Sequence, residues 1–580
     1  MSAPEEKADD LKSVPPNNQS SGSLSSSVHT PNEKKHEKED INNIDQLKDS
    51  PPSDTQDGSP KPKGPSQDDE AEANYKPKTI KFWLVMLSTF MSMLLVALDR
   101  TILSTAIPRI TDDFKSLGDI GWYGSAYMLT TAACQLIWGR VYRFYDLRWT
   151  FLICIIIFEA GSALCGAAPS STSFIVGRAI AGIGAAGITT GSMMTMIPLV
   201  PLHKRPMFQS MFGMVFGVAS ISGPLIGGAF TENVTWRWCF YLNLPVGLVA
   251  FACLFFFLKT SPKPKQATPI KEQILRLDPL GTFFFVPSTV CLLLALQWGG
   301  STYAWSNWRI ILLFVMFGLA GIAFAIVQVK MPDSASLPVC VITQRTMLSG
   351  TFYMFFLAGA MLMCVYYIPL WFQTTHDVNP VKSGIYTIPL VLSLVVASIV
   401  SSIITQRSGY YVPSMLICPC IMAIGEGLLT TFTPNTGSSH WIAYQFLVGF
   451  GLGFGMQTVG LAIQATLPKE EIPTGIAIMF FAQQLGGAIF VSVGQTTLST
   501  LLVSRLKHIP GLDPMMIVKS GATELRHVVP AQFISAVVDA YNHACTRIFL
   551  AALVLTGAQL LCSFGIQWKS IKKGKQQSAA

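Results

Sequence analysis

Residues 82–106 read FWLVMLSTFMSMLLVALDRTILSTA, and among these 25 residues only Asp99 and Arg100 carry a charge. A helix of about 20 apolar residues crosses the roughly 30 Å of hydrocarbon in a bilayer. Apolar runs of this length recur along the chain and are continuous, which favours membrane helices over the alternating segments of a β-barrel. The sequence predicts fourteen spans: 82–106, 121–139, 149–168, 172–194, 207–230, 238–258, 279–298, 308–329, 347–370, 382–405, 411–432, 441–464, 474–499 and 547–567.

The composition of the 580 residues agrees with this reading, since 50% are hydrophobic and only 13% are charged. Soluble domains carry about 25% charged residues. The net charge of +8 divides into −6 for residues 1–80 and +14 for residues 81–580. Lys and Arg that flank membrane spans account for the positive balance, so no nucleic-acid partner is expected. The 12 Cys lie mostly within apolar runs and do not suggest a disulfide framework.

Residues 1–80 are rich in Ser, Pro, Lys and acidic residues and contain a single aromatic, Tyr75. Such a segment cannot bury enough apolar area to offset its ordering entropy, so it is predicted to be a disordered cytoplasmic tail, either plain or regulatory. Fourteen Lys and Arg fall in the short loops on the side of this tail and five on the other side. The distribution places both termini in the cytoplasm.

A repeat joins the fourth and twelfth predicted spans at an offset of 269 residues, matching Gly182, Gly184, Thr189 and Gly191 with Gly451, Gly453, Thr458 and Gly460. Chance in Gly-rich sequence is one explanation, and duplicated halves of a transporter are the other. The second predicts an all-α membrane protein of two six-helix halves with two inserted helices. Its parts are a tail (1–80), a first half (81–258), a cytoplasmic loop with the inserted helices and a linker (259–346), a second half (347–568) with an outside loop (500–546), and a basic cytoplasmic tail (569–580).

Four charged residues stand out within the predicted spans, where ionisable groups are costly and are functional candidates by default: Asp99, Glu159, Arg178 and Glu426. Counted from the outer ends of their helices, Asp99 lies roughly 13 Å deep and Arg178 roughly 9 Å deep. The two side chains are therefore expected to share one polar cluster, either as a static pair or as a pair whose protonation drives a conformational change.

The two remaining carboxyls have less defined roles. Glu159 is predicted to lie near the midplane. It is either a proton site or a buried carboxyl whose hydrogen bonds are satisfied within the protein. Glu426 stands between Gly425 and Gly427, which leaves room for a substrate or a neighbouring helix, and it is a candidate proton or cation contact.

Several motifs in order make the sequence resemble the major facilitator superfamily, specifically the fungal drug:proton antiporters with fourteen spans. They are LDRTILSTAIP (98–108) in the first span, FIVGRAIAGIGAAG (174–187) in the fourth, GVASISGPLIGG (217–228) in the fifth and WRWCFYLNLPVG (236–247) before the sixth. The resemblance covers roughly residues 80–570. It implies a role in proton transfer for Arg178.

The motif of the fifth span resembles the antiporter motif and predicts a smooth, kinked helix, because glycines remove side chains and proline removes a backbone donor. We expect it to press against the other half as a gate, simple close packing being the alternative; the residues are Gly217, Gly223, Pro224, Gly227 and Gly228. One departure concerns the loop after the second span, where the superfamily usually has an acidic residue four positions after the first Gly. Here that position is Arg143, and Asp146 could take the acidic role.

The sequence shows no phosphate-binding loop, no nucleophile–base motif and no metal-ligand cluster, so we expect a non-enzyme with no cofactor or metal and the proton gradient as energy source. Aromatic and amide side chains without a fixed charge suit bulky organic compounds. Each of these candidates for a substrate cavity has packing as its alternative: Tyr127, Gln135, Tyr367, Phe372, Gln457, Phe480, Gln483 and Gln484.

The resemblance implies export of toxic organic compounds such as drugs, fungicides or fungal secondary metabolites. The alternative is a vacuolar or plasma-membrane transporter of basic amino acids or siderophores with the same fold; a receptor or channel leaves the repeat unexplained. The expected partners are a small organic substrate, protons and the lipid bilayer, and the expected state is a monomer. The plasma membrane is the expected location, with the vacuolar membrane as alternative.

Overall fold

The computed structural model describes residues 67–116, 119–259, 269–300, 302–332, 334–507, 509, 517 and 529–572. Within these ranges the chain is helical and has no strand beyond two isolated β-bridges. The long helices are α1 (Ile80–Phe114), α2 (Ile120–Phe144), α3 (Leu147–Ala167), α4 (Ser171–Met196), α5 (Arg205–Asn233), α6 (Trp238–Phe257), α7 (Pro279–Trp298), α8 (Trp308–Lys330), α9 (Arg345–Thr375), α10 (Ile388–Ser408), α11 (Val412–Leu429), α12 (Ser438–Thr466), α13 (Ile472–Leu506) and α14 (Ile534–Ser563).

Each predicted span overlaps one of these helices. In the described part of the chain, 13 helices are long and apolar enough to cross a membrane, and α2 is the long helix that falls outside that set. Its 25 residues include Arg140 and Arg143. Because α2 lies between α4 and α13, its polar side chains have protein neighbours instead of lipid. The end of the bundle that carries the α2–α3, α4–α5, α10–α11 and α12–α13 connections is called the inner end below.

The packing of α1–α6 recurs in α9–α14. In the first half α1 packs against α5 and α6, α4 against α2 and α3, and α3 against α6. In the second half α9 packs against α13 and α14, α12 against α10 and α11, and α11 against α14. Every one of these contacts repeats after eight helices, as expected of duplicated halves. The two main contacts between the halves are α2 with α13 and α5 with α10. The same shift of eight helices turns each of these contacts into the other.

The two inserted helices lie at the edge of this arrangement. Helix α7 contacts α2 and α13, and α8 contacts α7. Only 6% of the apolar span of α8 is buried within the protein. Its large apolar side chains, such as Ile311, Leu319 and Ile322, are exposed, which fits a helix that faces lipid.

The connection between the last two helices, predicted as an outside loop, is shorter than the sequence suggests. The sequence places it at 500–546, but α13 continues to Leu506 and α14 already begins at Ile534. The apolar span is a poor guide here, because one face of α14 stays buried beyond it at helical spacing. That face includes Val537, Ala540, Tyr541, Ala544 and Cys545.

The predicted N-terminal tail contains ordered structure at its end. A short helix covers Gln67–Asn74, ahead of the expected boundary at residue 80. Tyr75 follows it and packs edge-on against Phe82, with ring centroids 5.6 Å apart. Residues 1–66, which hold most of the predicted tail, lie outside the described residues.

The start of the C-terminal tail is bound to the inner end. Gly409 ends α10 with a φ of 79°, a left-handed conformation that glycine adopts without strain. Its carbonyl accepts from the backbone N–H of Ile571 at 2.9 Å, and the Tyr411 hydroxyl donates to the Gln567 carbonyl at 2.7 Å. The remaining residues of the predicted tail, 573–580, lie outside the described residues.

Candidate functional site

A buried ion pair lies within the first half. Nη1 of Arg178 on α4 is 2.6 Å from Oδ2 of Asp99 on α1, and the two side chains are 1% and 0% exposed. Nε of Arg178 also donates to the backbone carbonyl of Tyr123 at 2.9 Å. The contact that the depths of the two residues predict is therefore present. A charge at such a position needs a partner, and each charge supplies one to the other.

Helix periodicity explains why the side chains of Asp99 and Arg100 contact different neighbours. Successive residues of a helix point about 100° apart, so the two side chains face different neighbours. Asp99 shares a buried face with Leu95, Leu103 and Ala106. Arg100 lies on a face that is partly exposed.

Two further groups complete the surroundings of the ion pair. Nδ2 of Asn243 on α6 lies 3.5 Å from the second carboxylate oxygen of Asp99 and 3.2 Å from the Ser162 hydroxyl. The guanidinium of Arg178 lies over the Tyr127 ring at 4.5 Å and over the Phe240 ring at 5.8 Å. The cluster thus joins α1, α2, α3, α4 and α6, with the charges shielded by rings.

Glu159 on α3 lies beside this cluster. Its carboxyl rests against Gly247 of α6, where an added Cβ would overlap it. Neither oxygen has a hydrogen-bond partner among the described residues, and the carboxyl lies within electrostatic range of Asp99. The absence of a side chain at Gly247 is therefore what makes room for Glu159.

Glu426 on α11 lies in the interior of the second half and is fully buried. Oε1 accepts a weak hydrogen bond from Cys364 of α9 at 3.7 Å, and Thr556 of α14 lies beside it. An added Cβ at Gly425 would lie 2.6 Å from the backbone nitrogen of Val448 on α12. Gly425 thus permits close packing of helices, which is one of the two readings of the glycines around Glu426.

The surroundings of Glu426 correspond to those of Asp99 under the repeat. Asp99, Ser162 and Asn243 lie on α1, α3 and α6; Cys364, Glu426 and Thr556 lie on α9, α11 and α14, eight helices later. The carboxyl lies on α1 in the first half, but in the second half it lies on α11, the counterpart of α3. Helix contacts align α4 with α12 at an offset of 267, since Gly161 lies against Ala181 as Gly425 lies against Val448. Gln445 and not Leu447 therefore occupies the place of Arg178, so α12 offers no charged counterpart there. Within the described residues Glu426 forms no ion pair.

Three predicted cavity residues serve packing within one half. The Gln135 amide donates to the Thr190 hydroxyl at 2.7 Å, and the Tyr367 hydroxyl donates to the Val491 carbonyl at 3.3 Å. Phe372 is buried in a cluster of aromatic rings at the outer end of α9. Amide and aromatic side chains suit helix packing as well as ligand contact, so residue type alone did not separate the two.

The other predicted cavity residues lie nearer the interface of the halves. Gln457 borders a small cavity of about 20 Å³, enough for one water, between α5, α10 and α12. Phe480, Gln483 and Gln484 are half-buried on α13. Tyr127 is fully buried beneath Arg100.

Arg100 is the residue of the site to which the sequence analysis gives no role. Its guanidinium lies 5.5 Å from the centre of the Tyr127 ring, and Nη1 is 3.5 Å from Oε1 of Gln484 on the opposite half. Its position next to Asp99 in an apolar run was the available signal. A fixed positive charge therefore lies beside two of the predicted cavity residues, Tyr127 and Gln484.

The antiporter motif divides between two contacts. Gly217 faces the other half, where an added Cβ would lie 2.5 Å from Val395 of α10. Added Cβ atoms at Gly223 and Gly227 would instead overlap Thr101 and Thr105 of α1, in the same half. Pro224 lies inside α5, and an added Cβ at Gly228 would have no neighbour within 4 Å. Only the inner part of the motif thus faces the opposite half.

An ion pair across the halves occupies the inner end. The guanidinium of Arg143 on α2 contacts both carboxylate oxygens of Glu471, which precedes α13, at 2.9 and 2.7 Å. Asp146 instead caps α3 by accepting from the backbone N–H of Arg148 at 2.9 Å. This ion pair is called the inner latch below. Its acidic residue, Glu471, belongs to the second half and its basic residue, Arg143, to the first.

The two halves touch closely at this end. An added Cβ at Gly139 on α2 would lie 2.5 Å from Cβ of Ala477 on α13. The Ser402 hydroxyl on α10 donates to the Pro206 carbonyl on α5 at 2.8 Å. Farther out along α1, Arg100 is partly exposed and Ser104 is exposed. The interface is therefore closed at the inner end, while Arg100 and Ser104 keep exposed surface farther out.

Two pseudo-symmetric six-helix halves with a buried ion pair and a closed inner end define a helical membrane transporter. A family model described as Major Facilitator Superfamily matches residues 89–491. The chain therefore belongs to the major facilitator superfamily, and it is a multi-pass membrane protein.

Relatives from fungi match almost the whole chain. MFS-type efflux pump MFS1 of Arthroderma benhamiae is 47% identical over 527 residues, which cover 90% of this chain and 98% of that protein. Efflux pump aflT of Aspergillus parasiticus is 47% identical over 511 residues, covering 88% and 99%. Rubrofusarin-specific efflux pump aurT of Gibberella zeae is 44% identical over 501 residues, covering 86% and 92%.

A solved structure shares the fold. The human organic anion transporter MFSD10 (TETRAN) matches with a TM-score of 0.53 at 14% identity, over 82% of this chain and 99% of that one. At this identity the likeness concerns the arrangement of helices alone.

Proposed function

We propose that this protein is a proton-coupled antiporter that exports organic compounds from the cytoplasm by alternating access. The buried Asp99–Arg178 ion pair carries the proposal, because it is a titratable contact between α1 and α4 close to the interface of the halves. The names of the fungal relatives support the direction of transport, since MFS1, aflT and aurT are each called efflux pumps.

Protonation of Asp99 is the proposed switch. The ionised carboxylate neutralises Arg178, whereas a protonated carboxyl leaves a buried guanidinium without a counter-charge. Removing one partner of a buried pair typically costs about 3–5 kcal/mol. A conformation in which Arg178 gains another partner or water is then favoured, so proton binding shifts the balance between two arrangements of α1 and α4.

The closed inner end sets the order of events. The scheme starts from this conformation, which is closed at the inner end, and a proton that comes from outside binds Asp99. The shift then separates Arg143 from Glu471 and opens the inner end. Substrate binding from the cytoplasm and loss of the proton return the protein to the starting state. The proton gradient supplies the energy, and the scheme requires no further cofactor.

Glu159 and Glu426 are proposed as auxiliary proton sites, one in each half. Glu159 lies within electrostatic range of Asp99, so the proton occupancy of either carboxyl affects the other. Glu426 has no described cation beside it, so its charge changes the energy of the second half when it takes or loses a proton.

The proposed substrates are toxic organic compounds such as drugs, fungicides or fungal secondary metabolites. The alternative, transport of basic amino acids or siderophores, requires a cavity that accepts a cationic or metal-bearing ligand. The positive charge of Arg100 repels a basic amino acid at that place, which weighs against the first of these substrates. We further propose a monomer in the plasma membrane with both termini in the cytoplasm, the vacuolar membrane being the alternative site.

The test uses the tagged full-length protein in a yeast strain that lacks its own drug efflux pumps. We expect it to lower cellular accumulation of compounds from a fungicide and aromatic toxicant panel, and a proton uncoupler to abolish the effect. Efflux that persists with the uncoupler contradicts proton coupling. Fluorescence of the tag at the vacuole instead of the cell surface contradicts the proposed location.

A further inference from the structure

Arg100 is a cation in the middle of the bundle with no matching acid. Arginine stays protonated in proteins, and a charge within a membrane span is costly unless it is paired. Among the described residues Arg100 forms no ion pair, since the carboxylate of its neighbour Asp99 is turned to Arg178. Its hydrogen bond to Gln484 is 3.5 Å long, the Tyr127 hydroxyl lies close enough to interact with the guanidinium, and Nε has no described partner.

Two fully buried arginines have more partners than Arg100, whereas Arg140, 1% exposed, has one described hydrogen bond and two nitrogens without a described partner. Arg178 contacts a carboxylate and a carbonyl. Arg205 donates to the carbonyls of Val200 and Ile197 and to Gln464. Arg100 differs from Arg140 in its place between the halves, where its free donors are partly exposed and can meet a ligand.

The surroundings of Arg100 come from both halves. Tyr127 on α2 presents a ring at 5.5 Å, and Gln484 on α13 presents an amide. Tyr366 on α9, which is 50% exposed, lies within electrostatic range of the guanidinium. One fixed positive charge is thus combined with aromatic faces and a hydrogen-bonding amide at the interface that alternating access opens and closes.

We infer that Arg100 binds the anionic group of aromatic substrates, that is, carboxylates and phenolates. The inference rests on the proposed export function and names its substrate class. A guanidinium forms two parallel hydrogen bonds with a carboxylate, Tyr366 offers a ring to an aromatic body, and Gln484 reaches a carbonyl or hydroxyl group. Binding of the anion offsets the cost of the unpaired charge.

The same geometry links the substrate to the proton site. The Tyr127 ring lies between two guanidinium groups, with Arg100 at 5.5 Å and Arg178 at 4.5 Å from its centre. An anion on Arg100 therefore lowers the electrostatic potential close to the Asp99–Arg178 pair. The proposed substrate site and the proposed proton site are thus in electrostatic contact through the Tyr127 ring.

The experiment measures uptake into inside-out vesicles that contain the full-length protein. The probes are aromatic carboxylic acids of two to four fused rings, such as anthraquinone-2-carboxylate, each paired with its neutral carboxamide. We expect the wild type to prefer the acid, and Arg100→Gln to lower its kcat/KM about tenfold or more while the carboxamide changes little, since charge-assisted hydrogen bonds are the stronger ones. Arg100→Lys should retain part of the preference.

A matched control is Arg109→Gln, which removes an exposed positive charge from the same helix nearer the outer end and should leave the preference intact. Equal transport of acid and carboxamide by the wild type overturns the inference and leaves the export function standing. An equal loss of both probes in Arg100→Gln, with normal thermal stability, also overturns it. Wild-type vesicles that transport neither member of any pair contradict the proposed function itself.

Discussion

Arg143 of α2 and Glu471 before α13 join the two halves by a two-point ion pair, with nitrogen–oxygen distances of 2.9 and 2.7 Å. The sequence predicts the acidic residue of such a contact on the α2–α3 loop, with Asp146 as the candidate. The structure has the opposite polarity, with the base on the first half and the acid on the second. A latch of this kind depends on charge complementarity, so it survives an exchange of the two residues.

The first prediction concerns that exchange. Arg143→Glu places two acids together and should weaken the closed inner end, as should Glu471→Arg with two bases. Partly exposed pairs contribute about 0.2–1 kcal/mol, so we expect a few-fold increase in deuterium exchange of the α2–α3 and α12–α13 connections. The double variant Arg143→Glu/Glu471→Arg should restore protection, and a double variant as open as the single ones contradicts the latch.

The second prediction addresses coupling. Asp99→Asn imitates the protonated carboxyl permanently, so transport should lose its dependence on the proton gradient while the protein still reaches the membrane. The measurement compares efflux with and without an uncoupler at equal surface expression. Asp112→Asn, an exposed acid on the same helix, is the matched control and should behave as the wild type. Full uncoupler-sensitive efflux by Asp99→Asn would show a static pair.

The fold was largely accessible from the sequence because membrane helices are long and continuous. Each predicted span overlaps a helix, and the halves are duplicated as the repeat suggested. The glycines matched at an offset of 269 do not face corresponding helices, however, because Gly182 lies against α2 and Gly451 against α11. The boundaries of α14 were not accessible from hydropathy, since its first three turns are held by one buried face and not by an apolar run. A search for helical spacing in residues 534–546 would have extended it.

The site was accessible in part. Depth alone brought Asp99 and Arg178 together, because both lie on helices whose outer ends the sequence marks. Depth could not show that Gln135 forms a hydrogen bond with Thr190 of its own half whereas Gln484 contacts Arg100 of the other half. Rotation about each helix axis decides such cases, and rotation depends on contacts between helices that no single span encodes.

The third prediction tests close packing of α3 on α4. A methyl group at Gly161 would overlap the backbone of Ala181, which cannot move as a flexible side chain can. Gly161→Ala should therefore lower the free energy of unfolding by about 1–3 kcal/mol, the usual range for overpacking. Gly228→Ala is the control, because an added Cβ there has no neighbour within 4 Å. Thermal unfolding of the purified protein in detergent provides the comparison, and equal midpoints would contradict the tight contact.

The fourth prediction is a pH dependence at the outer end of α9. Burial against Trp371 and Phe372 lowers the pKa of His376 from its ordinary value of 6.5. The unfolded chain therefore takes up this proton first as the pH falls, and His376 should reduce stability from about pH 6.5 downward. His376→Phe should flatten the pH dependence of the unfolding midpoint between pH 7 and 5, whereas replacing the exposed His440 by Gln should not. Parallel curves for wild type and His376→Phe would contradict the effect.

The fifth prediction separates a proton site from a static carboxyl at Glu426. The residue is fully buried, its described contacts are Cys364 and Thr556, and no described cation faces it. Burying such a carboxyl costs less free energy when it is protonated than when it is ionised. Glu426→Gln should therefore fold at least as stably as the wild type. If Glu426 exchanges a proton during the cycle, the amide should slow efflux and remove one step from its pH profile, while Glu426→Asp keeps that step. Glu470→Gln, at an exposed acid before α13, controls for the loss of a negative charge. An unchanged rate and pH profile in Glu426→Gln would assign the carboxyl to packing of α11 against α9 and α14.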